Sequence, residues 1–206
     1  MNKLMLKIIL VIILMFITTN CNRFDEDFNG NVKFTINMVD FINQSPNNAR
    51  TDNISTWEHI YIENMVLKII NINNNQEYFI NFNPNIDREL TINIPYGEYK
   101  FESISEGGIL EEYLPIKING IFTLNTTNTI INMKATTEYG LVTLNHGFVS
   151  DVKLHIGVNK YNMTYLQERG YYYKYIKGGT NIELNITENI RNTIIKRNLL
   201  VESNKH

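Results

Sequence analysis

The chain has 206 residues, with 19 basic and 21 acidic side chains and a formal net charge of −2. This near-balance, without a basic cluster, predicts no nucleic-acid partner. A single cysteine excludes an intramolecular disulfide, so the core must stabilise the fold from a hydrophobic content of 43%.

The first 20 residues have the pattern of a secretion signal. Lys3 and Lys7 precede an apolar run over residues 8–17. That run is about half the ~20 residues needed to cross a bilayer as a helix. Polar residues then lead to Cys21, the only cysteine. We therefore predict an N-terminal signal helix over residues 1–20 that is removed before Cys21.

The segment around Cys21 resembles the lipobox of bacterial lipoproteins, in which the cysteine becomes the lipid-modified first residue. Asn20 stands where such boxes usually carry Gly, Ala or Ser. Cleavage by an ordinary signal peptidase is the alternative, although no A-x-A-like site is present. The resemblance implies a lipidated tether over residues 21–31 and a membrane as one partner, held by acyl chains that contribute ~0.8 kcal/mol per buried methylene.

An acidic triplet, Asp25, Glu26 and Asp27, follows the cysteine. It resembles the export signals that send lipoproteins of the Bacteroidetes group to the outer face of the outer membrane. The resemblance implies a lipid-anchored outer-membrane protein that faces the cell exterior. A solvated charged linker is the alternative interpretation of the same three residues.

Residues 32–135 predict a first β-sandwich domain. Strict alternation places Val32, Phe34, Ile36 and Met38 on one face of a half-buried strand. The same signals predict further strands over residues 60–72, 77–82, 90–94, 99–101, 115–124 and 129–134.

The most informative internal motif runs from Leu90 to Phe101. Pro95 presets φ for a tight turn and Gly97 occupies its fourth position, so we predict a hairpin between strands 90–94 and 99–101. This hairpin resembles those of transthyretin-like and fimbrillin-like β-sandwich modules in bacterial surface proteins.

Residues 136–206 predict a second, smaller β-domain with strands over 141–144, 152–158, 171–176 and 182–186. Gly178-Gly179 predicts a hairpin between the last two of these strands. Residues 161–170 are predicted to be irregular or one short helix. The end of the chain leaves two alternatives: a final strand over residues 199–202, or an incomplete domain with an open strand edge.

The one cluster with ligand potential is a set of tyrosines: Tyr161, Tyr165, Tyr171, Tyr172, Tyr173 and Tyr175. Exposed rings here would provide a platform for stacking on the faces of sugars. Alternation along a strand instead places Tyr171, Tyr173 and Tyr175 on one face, which favours packing in the sandwich core.

Neither a catalytic set nor a metal-binding spacing is recognisable in the sequence. The histidines, which are His59, His146, His155 and His206, have no second His or Cys at zinc spacing. The carboxylates of residues 106–112 match no EF-hand loop. G-x-S-x-G and P-loop motifs are also missing. We therefore predict no cofactor, no metal and no enzymatic activity.

The whole layout, with the lipobox-like Cys21, the acidic triplet and tandem β-modules, resembles the fimbrillin family of Bacteroidetes surface lipoproteins, including fimbrial anchors and accessory subunits. The resemblance implies an all-β, antiparallel β-sandwich fold with one complete module and a second smaller one. It implies a non-catalytic structural or adhesive role, with pilus subunits or other envelope proteins as partners. The alternative is a surface glycan-binding lipoprotein of a polysaccharide-uptake system.

Overall fold

The computed structural model describes residues 28–42 and 57–206 of the chain. Within those residues the protein is all-β, as the sequence predicts. The predicted signal helix, Cys21 and the triplet Asp25, Glu26 and Asp27 lie outside the described residues. No helix in the two described segments is long and apolar enough to cross a membrane.

The first eight strands are β1 Asn29–Asn37, β2 Met65–Asn71, β3 Glu77–Phe82, β4 Glu89–Pro95, β5 Gly97–Ile104, β6 Leu110–Glu111, β7 Lys117–Leu124 and β8 Asn128–Lys134. The next seven are β9 Tyr139–Asn145, β10 Val149–Ile156, β11 Asn159–Asn162, β12 Thr164–Leu166, β13 Tyr171–Lys177, β14 Asn181–Glu188 and β15 Ile194–Leu200. A 3-10 turn, His146–Phe148, joins β9 to β10.

The first module is a sandwich of two sheets, ordered β4-β1-β8 and β3-β2-β5-β7. The predicted alternation along β1 is confirmed for Val32, Phe34 and Ile36, which are buried between the sheets. It does not extend to Met38, which follows the end of β1 and is half-buried, whereas Val39 is buried. The Phe34 ring meets Phe101 and Phe122 of the opposite sheet edge-on, each at 5.6 Å between centroids. The pairing departs from the antiparallel expectation at one place, since β1 runs parallel to β8.

The predicted hairpin from Leu90 to Phe101 is wrong in its pairing. β4 pairs with β1 in one sheet, whereas β5 pairs with β2 and β7 in the other. The bend at Tyr96 therefore carries the chain across the sandwich, and the Tyr99 hydroxyl donates back to the Pro95 carbonyl at 2.6 Å. A tight turn fixes a reversal of direction but does not decide which sheet the returning strand joins.

The second Gly-based hairpin prediction fails for the same reason. β13 belongs to a sheet ordered β12-β13-β6 with β9 also paired to β13, whereas β14 belongs to the sheet β11-β10-β14-β15. Gly179, with a φ of 82°, makes the turn between the two sheets. The prediction for residues 161–170 is also wrong, because they contain β12 and the end of β11 rather than a helix.

The sheet around β13, which we call the middle sheet, contributes side chains to two hydrophobic cores. Along β13, Tyr173 and Tyr175 join the first core, whereas Ile176 and the half-buried Tyr172 pack against the second. The period of two along a strand produces this division. The second core otherwise comes from β10 and β14, with Met163 between β11 and β12 and Val201 after β15. The proposed boundary near residue 136 stays a prediction.

Residues 201–206 lie between the segment after β1 and the start of β9. The Ile42 amide donates to the Asn204 carbonyl at 2.9 Å, and the His206 amide donates to the Ile42 carbonyl at 3.1 Å. On the other side, the Leu141 amide donates to the Lys205 carbonyl at 2.9 Å. This terminal segment therefore closes the junction between the two modules.

Gly140 allows the close approach of that terminal segment. A Cβ at position 140 would overlap the Glu202 carbonyl oxygen and would lie 2.7 Å from Val201 Cγ1. We expect Gly140→Ala to lower the free energy of unfolding by about 1–3 kcal/mol, because the segment must move away. Urea unfolding followed by tryptophan fluorescence measures the loss.

Gly108→Ala is the matched control for Gly140→Ala. Its added Cβ would meet only Glu111 Oε1, at an ordinary 3.4 Å. Equal losses for the two variants would show that the close approach at Gly140 contributes nothing to stability.

Candidate functional site

Four tyrosines of the predicted cluster lie on β13, in the middle sheet. Tyr175 is fully buried and Tyr173 is buried, whereas Tyr171 and Tyr172 are half-buried. Tyr173 and Tyr175 therefore lie where the core interpretation places them. Ligand binding by the cluster stays a prediction, to which, of these four, only Tyr171 and Tyr172 would contribute accessible ring surface.

The Tyr175 hydroxyl organises a polar group at the junction of the modules. The Ile60 amide and Trp57 Nε1 donate to it, at 3.1 and 3.3 Å. His59 Nδ1 lies 3.2 Å away and can accept a hydrogen bond from the hydroxyl. One tyrosine hydroxyl thus uses both its acceptor sites and its proton. It fixes residues 57–60, which lead into the first module, against the middle sheet.

Arg169 holds the same segment from the turn between β12 and β13. Its guanidinium lies 5.0 Å from the centroid of the Trp57 ring, a cation–π distance. The same group donates to the Glu58 carbonyl oxygen at 2.8 Å and to the Glu58 carboxylate at 3.2 Å. A planar guanidinium can make these contacts together, which a lysine ammonium cannot.

His206 completes the group, which we call the Tyr175 junction: Trp57, His59, Arg169, Tyr173, Tyr175 and His206. The Nε2 atom of His206 lies 2.8 Å from Thr143 Oγ1. Its ring lies 6.1 Å from the Trp57 ring, and the Tyr173 ring lies 5.6 Å from Trp57.

The electrostatics of the junction favour neutral side chains. Burial, helped by the nearby His206 and Arg169, lowers the pKa of His59 to about 4. Burial also lowers the pKa of His206. Burial raises the pKa of Tyr173 to about 12, and it raises that of Tyr175. These groups are uncharged near neutral pH, which suits a site beside the core.

The geometry of the junction indicates a structural role. The Tyr175 hydroxyl is hydrogen-bonded to Trp57, His59 and Ile60. The Tyr173 hydroxyl donates to the Glu112 carbonyl at 3.1 Å. The Glu112 carboxylate pairs with Lys174 at 3.2 Å and accepts from Thr164 at 2.8 Å. No cluster of metal-ligating side chains is found among residues 28–42 and 57–206.

A second aromatic group lies on the surface beside Tyr172. It joins Tyr165 and Tyr172 of the predicted tyrosine cluster to His146, which sequence reasoning missed. The ring of His146 is 4.8 Å from Tyr165 and 5.8 Å from Tyr172, and the two tyrosine rings are 5.1 Å apart. The rings are tilted by 39–44° rather than coplanar, so they form a cluster and not a flat platform. Tyr165 of β12 pairs directly with Tyr172 of β13. The prediction of an irregular or helical segment over residues 161–170 did not anticipate this pairing.

Removing the Tyr175 hydroxyl should destabilise the fold. Tyr175→Phe leaves Ile60 N–H and Trp57 Nε1–H without their acceptor. We therefore expect the free energy of unfolding to fall by about 1–3 kcal/mol. Urea unfolding measures the change, and the emission of Trp57, the only tryptophan, reports on its surroundings.

Tyr172→Phe on the same strand provides the control. Its hydroxyl makes one weak bond, at 3.3 Å, to the exposed Ser150 carbonyl. We expect a loss below about 0.5 kcal/mol for this surface change. A loss as large as that of Tyr175→Phe would contradict the special role of the junction.

The buried histidines should make stability depend on pH. The unfolded chain binds a proton to histidine near pH 6.5, whereas folded His59 resists protonation until about pH 4. Stability should therefore be complete above pH 6.5 and should decrease as the pH falls towards 4, by about 2–3 kcal/mol from His59. Urea midpoints at pH 7.5 and 5.0 measure this decrease.

His59→Asn tests the assignment, because the Asn oxygen can replace Nδ1 as acceptor but does not titrate. The decrease between pH 7.5 and 5.0 should then shrink to the part that His206 contributes. An unchanged decrease would show that other groups cause it.

Comparisons with known proteins concern the fold. No protein-family model matches the chain, and no curated protein matches its sequence. A fimbrial protein from Bacteroides ovatus aligns over 84% of this chain and 47% of its own, at 12% identity and a TM-score of 0.52. A fimbrial assembly protein from Parabacteroides distasonis aligns over 86% of this chain and 88% of its own, at 10% identity and a TM-score of 0.44.

This chain thus spans about half the length of the Bacteroides ovatus protein. The predicted resemblance to fimbrillin-like surface proteins is confirmed for the fold: over most of its length, the chain shares the architecture of a Bacteroides fimbrial protein.

Proposed function

We propose that this chain is a non-catalytic, lipid-anchored surface protein with a structural or adhesive role, as a fimbrial anchor or accessory subunit. The observation that carries the proposal is the fold shared with the Bacteroides ovatus fimbrial protein over 84% of this chain. At 12% identity the likeness supports only the architecture. We infer the role from this architecture together with the sequence around Cys21 and the acidic triplet.

The anchor rests on the sequence before the first strand. Cys21, in its lipobox-like setting, is the attachment point of the acyl chains, and Asp25, Glu26 and Asp27 direct the protein to the outer face of the outer membrane. The residues between Cys21 and the start of β1 at Asn29 then act as a tether for the two β-domains, whose predicted boundary lies near residue 136. Several acyl chains on one residue suffice for stable membrane attachment without a spanning helix.

Pilus subunits or other envelope proteins are the proposed partners. The structure supports contact with proteins over stacking on sugars, because two of the four cluster tyrosines on β13 are buried. A glycan-binding role would depend on the tilted cluster of His146, Tyr165 and Tyr172. Glycan binding is therefore the alternative that the experiments on function must distinguish from contact with proteins.

Cys21→Ala should release the protein from the membrane. Without its acyl chains, an otherwise folded ectodomain has no anchor, so we expect it in the soluble fraction of lysed cells. Metabolic labelling with an alkyne fatty acid should label the native protein and not the variant. A variant that stays in the membrane fraction would refute the lipid anchor.

The acidic triplet offers a matched change that keeps the anchor. The combined substitutions Asp25→Asn, Glu26→Gln and Asp27→Asn should leave membrane attachment intact but should reduce cleavage by protease added to intact cells. Equal cleavage of the native protein and this variant would show that the triplet is only a charged linker.

The role itself is tested by crosslinking on intact cells, followed by mass spectrometry of the proteins attached to this chain. Surface fibre subunits among them support the proposal. Binding of the purified protein to a glycan array, lost in a Tyr165→Ala variant and accompanied by no crosslinked protein, would replace it with the glycan-binding alternative.

A further inference from the structure

The last strand of the second module has an open edge. β15 ends the sheet order β11-β10-β14-β15, so it pairs with β14 alone among the described strands. Every residue from Ile194 to Leu200 is exposed. β11, at the other edge of that sheet, is the polar segment Asn159–Asn162. Natural proteins usually protect sheet edges in that polar manner, so the apolar edge of β15 needs an explanation.

The side chains of β15 extend the second core to this edge. Ile195, Arg197 and Leu199 share one face and lie beside Ile186, Leu184 and Ile182 of β14, in that order. Leu184 and Ile182 are buried core residues. Ile195 and Leu199 are each 42% exposed, although they lie beside these core residues. On the other face, Ile194 is 65% exposed and Leu200 is 60% exposed.

The charge of β15 defines what could pair with it. Lys196 is bonded to Glu183 at 3.3 Å. No ion pair or hydrogen bond of the Arg197 guanidinium is found within residues 28–42 and 57–206. A strand added beside β15 would place three alternate side chains next to Ile195, Arg197 and Leu199. The complementary pattern is an acidic residue between two apolar ones, at positions i, i+2 and i+4.

A groove at the end of the strand offers further space. It has a volume of about 520 Å³ and is lined by residues of β10, β14 and β15, among them His155, Asn181, Glu183 and Leu199. Leu199 and Leu200, the last two residues of β15, are part of its lining.

We propose that β15 is the docking edge for an extended acidic segment of a partner protein, of the pattern apolar-x-acidic-x-apolar. The segment pairs its backbone with the free edge and places its carboxylate beside Arg197. A second copy of this chain fits less well. Two β15 strands paired antiparallel about Arg197 would place the cations opposite one another, which is destabilising.

The docking edge depends on the geometry and charge of β15, whereas the placement of the partner in the cell envelope rests on the proposed function. A failure of peptide binding would therefore overturn the docking edge and would leave the Cys21 experiments unaffected.

The test uses the full chain in detergent and two labelled peptides that differ in one residue. The first has the sequence Thr-Ile-Thr-Glu-Thr-Ile-Thr, and the second replaces its Glu with Lys. We expect fluorescence anisotropy to show binding of the Glu peptide at least tenfold tighter than that of the Lys peptide. Hydrogen exchange should show new protection of β15 amides when the Glu peptide is bound.

The substitution Arg197→Glu should reverse the preference, so that the Lys peptide binds tighter. Arg191→Glu is the matched control, because it makes the same change of charge in the exposed turn before β15 and should leave both affinities unchanged. Thermal unfolding confirms that both variants are folded.

Three results would overturn the proposal. The first is that neither peptide binds, in which case Lys196 and Arg197 only protect a bare edge from aggregation. The second is an equal effect of Arg191→Glu, which would indicate unspecific charge attraction. The third is protection of β15 amides in a dimer without any peptide, since a second copy would then be the occupant.

Discussion

The alternation of side chains along β13 is the constraint on which the rest of the structure depends. A strand with both faces buried must supply two cores at once, and β13 does so with Tyr173 and Tyr175 on one face and Ile176 on the other. A register shift of one residue would exchange the two faces and would place the Tyr175 hydroxyl in the wrong core. The hydroxyl is satisfied only because residues 57–60 meet it on the correct face.

This arrangement explains why a tyrosine-rich strand suits the junction. Each ring offers a large apolar surface to the core, and each hydroxyl bonds to backbone or side-chain groups at its rim. Tyr173 bonds to the Glu112 carbonyl in this manner, and Tyr139 of the neighbouring β9 bonds to the Gly108 carbonyl. The rings therefore connect the middle sheet to loops of the first module, and Arg169 adds a contact from the outside.

The sequence predicted the strands well and their partners poorly. Period-two alternation is a local property, so β1, β3 and β8 could be located from a few residues each. Pairing depends on residues far along the chain, and the turns at Pro95 to Gly97 and at Gly178-Gly179 gave no information about which sheet follows. Both turns lead from one sheet to another, because each returning strand buries its apolar face from the opposite side.

The same limit applies to the candidate site. Burial of Tyr173 and Tyr175 followed from alternation, but their partners did not, since Trp57 and His59 stand 118 and 116 residues away from Tyr175. Tyr165 belongs to the predicted tyrosine cluster, but its contact with His146 and its pairing with Tyr172 were missed, because residues 161–170 contain short strands with little periodicity. The sequence predicted either a final strand over residues 199–202 or an open strand edge. The structure corrects the bounds of the strand to Ile194–Leu200, and among the described strands it pairs with β14 alone.

The bonds between Ile42 and residues 204–206 have a consequence for the order of folding. The segment after the first strand pairs with residues that are made more than a hundred positions later, so this pairing cannot form until residues 204–206 have been synthesised. Contacts of such long range also slow folding, because a large loop must close before they contribute.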